Sequence, residues 1–106
     1  VIGAISVAEL RRRRDANEEL VLLDVREPDE LATASIPWAT WIPMREIPIR
    51  MTELPREKPI VCMCHHGARS ERVAEFLAAN GYENAVNLTG GIDAWSSSID
   101  PAVPHY

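Results

Sequence analysis

The chain has 106 residues, 46% of them hydrophobic, the size and apolar content of one compact domain spanning 1–106 around a single core. Its 11 basic and 16 acidic residues leave a formal charge of -5, which excludes a broad electrostatic grip on nucleic acid or an anionic membrane. The only cysteines, Cys62 and Cys64, are too close in sequence for an ordinary disulfide, so a stapled secreted scaffold is not expected and the cytoplasm is the default.

The amino end, Val1 to Ala8, is apolar but lacks a basic leader and is far too short to span a bilayer. Ser6 and Glu9 form a capping-box pair, which predicts a short surface helix over 7–14 with Arg11 to Arg14 facing water. Leu20 to Val25 is a nearly continuous apolar run, the pattern of a parallel strand buried on both faces. Pro28 with Asp29 and Glu30 supplies a helix start. Pro37, Pro43, Pro48 and Pro55 then leave room only for a short strand near Trp41 and a short helix near 49–54.

Ile60 to Met63 predicts a second buried strand. Ser70 to Asn80 predicts a helix with Val73, Phe76 and Leu77 on one face and Gly81 as its left-handed stop. Ala85 to Leu88 is a further strand, Gly90 and Gly91 a tight turn, and Ile92 to Trp95 a last helical turn, with Trp95 and Phe76 expected in the core. Helix and strand signals alternating throughout predict an α/β fold: a small parallel sheet covered by helices.

The chemistry collects where the strand 60–63 ends, at Cys64, His65, His66, Gly67, Ala68, Arg69 and Ser70. In open α/β sheets the carboxyl edge of the strands is where ligands bind. A glycine in so short a loop lets successive amides turn inward as an anion nest, and the following helix adds about half a positive charge. Arg69 adds a forked cation expected to anchor a substrate or the loop, and Ser70 is expected to cap the helix with a hydroxyl that can also touch the loop. Each feature favours thiolate over thiol, so Cys64 is the candidate nucleophile, accessible and anionic at neutral pH. Cys62, two residues back in an apolar strand, is read first as core packing and second as a resolving or redox-sensitive thiol. His65 and His66 are open to two readings, as solvated loop residues or as rings that set access to the pocket. Asp24 and Arg26, at the end of a neighbouring strand, either support the loop or serve the strand terminus.

The run Cys64-His65-His66-Gly67-Ala68-Arg69-Ser70 closely resembles the active-site loop of rhodanese domains. Asp24-Val25-Arg26-Glu27-Pro28, Ile36-Pro37, Ile42-Pro43 and Gly90-Gly91-Ile92-Asp93-Ala94-Trp95 extend the resemblance over most of the chain. The tail from Asp100 to Tyr106 is similar to the end of rhodanese modules fused to adenylating enzymes that supply sulfur to ubiquitin-like carriers. The resemblance implies about five parallel strands with helices on both faces and a Cys64 persulfide. Sulfur would pass from a small donor such as thiosulfate or a persulfide to a thiol, cyanide or a sulfur-carrier protein. No cofactor, metal, nucleic acid or membrane partner is expected. Where many members have a Gly-His-Ile-Pro-Gly-Ala-like segment, this chain has Ala34-Ser35-Ile36-Pro37-Trp38-Ala39, so the pocket rim departs from the pattern and Trp38 is expected to fill space there.

Three rivals are weighed. A cysteine phosphatase has five residues between cysteine and arginine, whereas four separate Cys64 from Arg69. A zinc site of Cys62, Cys64, His65 and His66 lacks the usual ligand spacing. A silent docking domain does not need the intact Cys64 and Arg69.

Overall fold

The computed structural model describes residues 2–106. Five strands, β1 (Gly3–Ile5), β2 (Val21–Asp24), β3 (Thr40–Trp41), β4 (Ile60–Met63) and β5 (Ala85–Leu88), form one parallel sheet in the order β1-β5-β4-β2-β3. Five helices accompany them: α1 (Val7–Asp15), α2 (Pro28–Thr33), α3 (Ile47–Arg50), α4 (Ala68–Ala79) and α5 (Gly91–Ser98). The central strand β4 pairs on one side with β2, Val21 opposite Ile60 and Asp24 opposite Met63, and on the other with β5, Ile60 opposite Ala85.

All four β4 residues are buried, and their side chains alternate between two cores, as the two-residue period of a strand requires. Ile60, Cys62 and Leu23 pack with Val73, Ala74 and Leu77 of α4 and Ile47 of α3. Val61, Met63 and Leu22 pack on the opposite face with Val7 and Leu10 of α1 and Ile92 and Trp95 of α5. Each fully buried leucine here stabilises the fold by about 1.5–3 kcal/mol, and helices cover both faces, as anticipated.

Several boundaries differ from the sequence expectation. The apolar amino end forms the edge strand β1 and then Ser6, the α1 cap; Val1 lies outside the described residues. Only half of the capping box forms: Ser6 Oγ accepts from Glu9 N at 3.1 Å, but the Glu9 carboxylate takes Arg12 and Arg13 instead. Two guanidinium groups outcompete one backbone amide for a carboxylate. Arg11, Arg12 and Arg14 face water while Arg13 is half-buried, and Arg14 lies over the Trp38 ring. Trp38 itself packs edge-on against Trp95, filling the space where the loop departs from the family pattern.

The helical stretch expected at 49–54 begins earlier, as α3 flanked by the 3-10 turns Met44–Glu46 and Met51–Glu53. Pro48 does not break it because it sits in the first turn, where its missing N–H has no partner to lose. The last helix runs to Ser98, well past the single turn expected. Phe76 is 38% exposed and not in the core: Val73, Ala74 and Leu77 line the inward face of α4. Gly81 follows α4 with φ +96°, as expected of a left-handed stop. Among the described residues, no helix is long and apolar enough to cross a membrane.

Candidate active site

Cys64 leaves the carboxyl end of β4, and the chain turns at once into α4. The turn depends on Gly67, whose φ of +122° is closed to ordinary side chains and which takes the N-cap position of α4. Ser70 is therefore not the cap, as the sequence suggested. It lies one turn inside, at the third helical position, where its hydroxyl points back at the cysteine.

Gly67 N–H donates to Cys64 Sγ at 3.0 Å, and Ser70 Oγ lies 3.2 Å from the same sulfur. Burial pushes the thiol up, but the Ser70 hydroxyl and the amides of Ser70, Gly67 and Arg69 outweigh it, so Cys64 lies below its ordinary value. The nest and helix terminus expected from the sequence are thus in place. The accessibility is not: Cys64 is only 1% exposed. Cys62, deep in β4, is pushed up to about 12 by burial and by the neighbouring Cys64 charge, which suits a packing role.

A hydroxyl has one hydrogen, and Ser70 Oγ has three acceptors in reach. Gly67 O and Cys64 Sγ both lie at 3.2 Å, and Asn87 Oδ1 is nearest, at 2.6 Å. Asn87 Nδ2 donates to Gly67 O at 3.1 Å, which fixes the amide with its oxygen toward Ser70. The shortest of these contacts favours Asn87 for the Ser70 hydrogen while Cys64 is a thiol, and a thiolate, as the stronger acceptor, competes for it. Asn87 escaped the sequence reading, although an amide inside the otherwise apolar β5 was its signal.

The loop is also held from behind. Ile92 N donates to Cys64 O at 3.0 Å and Asp93 N to His65 O at 3.1 Å, so the first turn of α5 grips the two carbonyls that begin the loop. Gly91 makes this approach possible, since a Cβ there would fall 2.5 Å from His65 O.

The Arg69 guanidinium does not point at the sulfur; it forms a forked pair with Glu30 at 2.6 and 2.8 Å. That pairing holds the Glu30 carboxyl down at about 2 against its burial. Asp24 and Arg26 make a buried bidentate pair at 2.9 and 2.8 Å and make no side-chain hydrogen bond to the loop among the described residues. Arg26 instead reaches Ala34 O at 2.8 Å and the Tyr106 hydroxyl at 2.9 Å, so this pair builds the wall beside the site.

His65 is half-buried, its ring stacked between His66 and Tyr106, both with centroids 3.9 Å away, and its Nε2 is buried without a partner. His66 is largely exposed, 3.9 Å from the Asp93 carboxylate. Donor atoms of His65, His66 and Asp93 lie within 4.8 Å of one another. The two imidazoles are stacked, however, so their in-plane lone pairs run side by side instead of converging on one ion. Glu30 and Tyr106 were visible in the sequence only as a helix acid and the end of a tail.

Comparison with known proteins places this geometry. Residues 6–98 match the family model described as rhodanese-like domain. A sulfurtransferase of Allochromatium vinosum is 40% identical over 103 residues, covering 97% of this chain and 96% of that protein. The adenylyltransferase and sulfurtransferase MOCS3 of Arabidopsis thaliana is 28% identical over 118 residues, covering 96% of this chain but 25% of its own length. Among solved structures, a rhodanese-like domain protein from Staphylococcus aureus superposes with a TM-score of 0.86 at 32% identity, covering 99% of each chain.

Proposed function

Because the chain belongs to the rhodanese-like family, we propose that it is a sulfurtransferase in which Cys64 carries sulfane sulfur as a persulfide between a small donor and a thiophilic acceptor. The observation that carries this reading is the convergence of the Gly67, Arg69 and Ser70 amides and the Ser70 hydroxyl on Cys64 Sγ. Donors aimed at a sulfur anion lower the cost of forming the thiolate, and the same cradle favours the anionic outer sulfur of the loaded state.

In the first half-reaction the Cys64 thiolate attacks the outer sulfur of thiosulfate. A new S–S bond forms, the donor S–S bond breaks, and its electron pair leaves on sulfite. In the second half-reaction an acceptor thiolate or cyanide attacks the terminal sulfur, and the Cys64 thiolate is the leaving group. Neither step needs a general base, which fits a loop where no imidazole contacts the sulfur. No external oxidant or cofactor enters the balance. Asp24 and Arg26 hold the wall, and the loop residues 65–70 shape the cradle. A sulfur-carrier protein that presents a cysteine thiol fits the same role as a free thiol acceptor, supported by the likeness to a putative sulfur carrier protein of Bacillus subtilis.

Intact-mass measurement after thiosulfate or polysulfide treatment tests the proposal. The expected result is a reducible gain of one sulfur atom in the wild type and none in Cys64→Ser. Gain in the serine variant, or no gain with any donor, overturns it.

A further inference from the structure

The segment after α5 returns to the loop it has just pinned. Val103 is buried and anchors it, while residues 104–106 are exposed and reach back across the site. Tyr106 lays its ring on His65, centroids 3.9 Å apart and planes 8° from parallel. Its hydroxyl donates to Glu30 Oε2 at 2.7 Å and accepts from Arg26 Nη1 at 2.9 Å. Glu30 Oε2 in turn receives Arg69 Nη2 at 2.8 Å.

His65 is the first loop residue after the nucleophile, and Arg69 stands where the loop enters α4. Tyr106 and Glu30 therefore form a continuous strut between the two edges of the loop, and the cysteine between those edges is 1% exposed. The strut also has a sign. It occupies the Arg69 guanidinium with the Glu30 carboxylate, so the one loop cation that would receive an anionic donor is already neutralised.

We propose that Tyr106 is a specificity-determining residue that roofs the Cys64 loop and holds free small reagents of either charge away from the sulfur until it is lifted, while the Glu30–Arg69 pair beneath it disfavours anions such as thiosulfate. The inference rests on the sulfur-transfer reading above for its biological meaning, though not for its test. One aromatic stack, two hydrogen bonds and the Arg26 guanidinium 5.6 Å from the ring centroid hold the roof. A further tether, His105 Nδ1 to Asp93 Oδ1 at 3.4 Å, is exposed. Contacts this few open by local fluctuation without unfolding the domain. Opening frees Arg69 only if Glu30 moves with Tyr106, so removal of the ring is expected to help a neutral reagent more than an anionic one.

The experiment follows alkylation of Cys64 in wild type, Tyr106→Ala and Tyr106→Phe by mass spectrometry, with neutral iodoacetamide and anionic iodoacetate, across pH. The roof predicts that Tyr106→Ala raises the iodoacetamide rate about tenfold with the pH midpoint unchanged and a smaller gain for iodoacetate. Tyr106→Phe, which keeps the ring and loses the hydroxyl, is expected in between. Rates for Tyr106→Ala within twofold of wild type overturn the proposal. So does a gain accompanied by a shifted midpoint, which marks a collapsed cradle instead of an open one. Thiosulfate loading of the same variants separates the two readings. If no variant ever gains sulfur the sulfurtransferase proposal fails, while the alkylation rates still decide the roof.

Discussion

Removing the Ser70 hydroxyl is the sharpest probe of the cradle. In Ser70→Ala the thiolate keeps its three backbone donors and loses one side-chain donor. A hydrogen bond to a charged group contributes about 1.5–3 kcal/mol, and one pKa unit corresponds to about 1.36 kcal/mol. The full effect would be about one to two units. Swinging the hydrogen to sulfur strips it from Asn87 Oδ1 at 2.6 Å, however, so part of the gain is already lost in the wild type. The expected rise is therefore about one unit, the lower end of that range. The assay is the pH dependence of iodoacetamide alkylation at Cys64. The midpoint moves up, and the plateau rate at high pH rises about threefold because a more basic thiolate is the better nucleophile. Asn87→Ala makes the opposite change: with its nearest competitor gone and only Gly67 O left, Ser70 serves the thiolate more fully and the midpoint moves down. Equal midpoints in wild type and Ser70→Ala, or shifts of the same sign in both variants, would refute the hydrogen-sharing argument.

Other consequences are open to direct measurement. Arg26→Ala leaves the buried Asp24 carboxylate unpaired and is expected to cost about 3–5 kcal/mol in urea unfolding; a loss below about 1 kcal/mol would show the charge to be otherwise compensated. Glu30 has a depressed pKa, so its contribution is complete above the ordinary carboxylate value and is lost as pH falls through about 2. The stability gap between wild type and Glu30→Gln should be about 2 kcal/mol at neutral pH and shrink steadily below pH 4.5; a gap independent of pH contradicts the pairing. Cys62, pushed up to about 12, should take up no alkylating agent at pH 8 until the protein is unfolded. Peptide mapping that finds equal labelling of Cys62 and Cys64 would disprove that difference.

How much of this was legible beforehand follows from where the information lies in the chain. Strands β4 and β5 and the nucleophile loop are contiguous runs whose neighbours in space are also neighbours in sequence, and all were recognisable. The middle segment was misjudged because Pro48 looks like a breaker unless it is known to sit in a first helical turn. Ser70 was taken for a cap because the positive φ of Gly67, which moves the helix start back to Ala68, is a property of backbone and not of residue type. Phe76 follows the helical period, yet no partner covers it. The wall beside the loop was out of reach for a different reason. Glu30 meets Arg69 across 39 residues and Tyr106 across 76, and no local pattern marks partners so far apart.

The grip of α5 on the Cys64 and His65 carbonyls gives the site a birth date. Protein chains emerge amino end first, at about 5–20 residues per second, so Cys64 leaves the ribosome before Ile92 and Asp93 do. Until those two amides arrive the loop lacks half of its frame, and the nascent thiol has the modest acidity of any free cysteine, near 8.5. Docking of β5 and α5 then fixes the Cys64 and His65 carbonyls, from which the cradle of Gly67, Arg69 and Ser70 is hung. An unfinished chain thus carries its nucleophile without the frame that holds it, and that frame is completed together with α5.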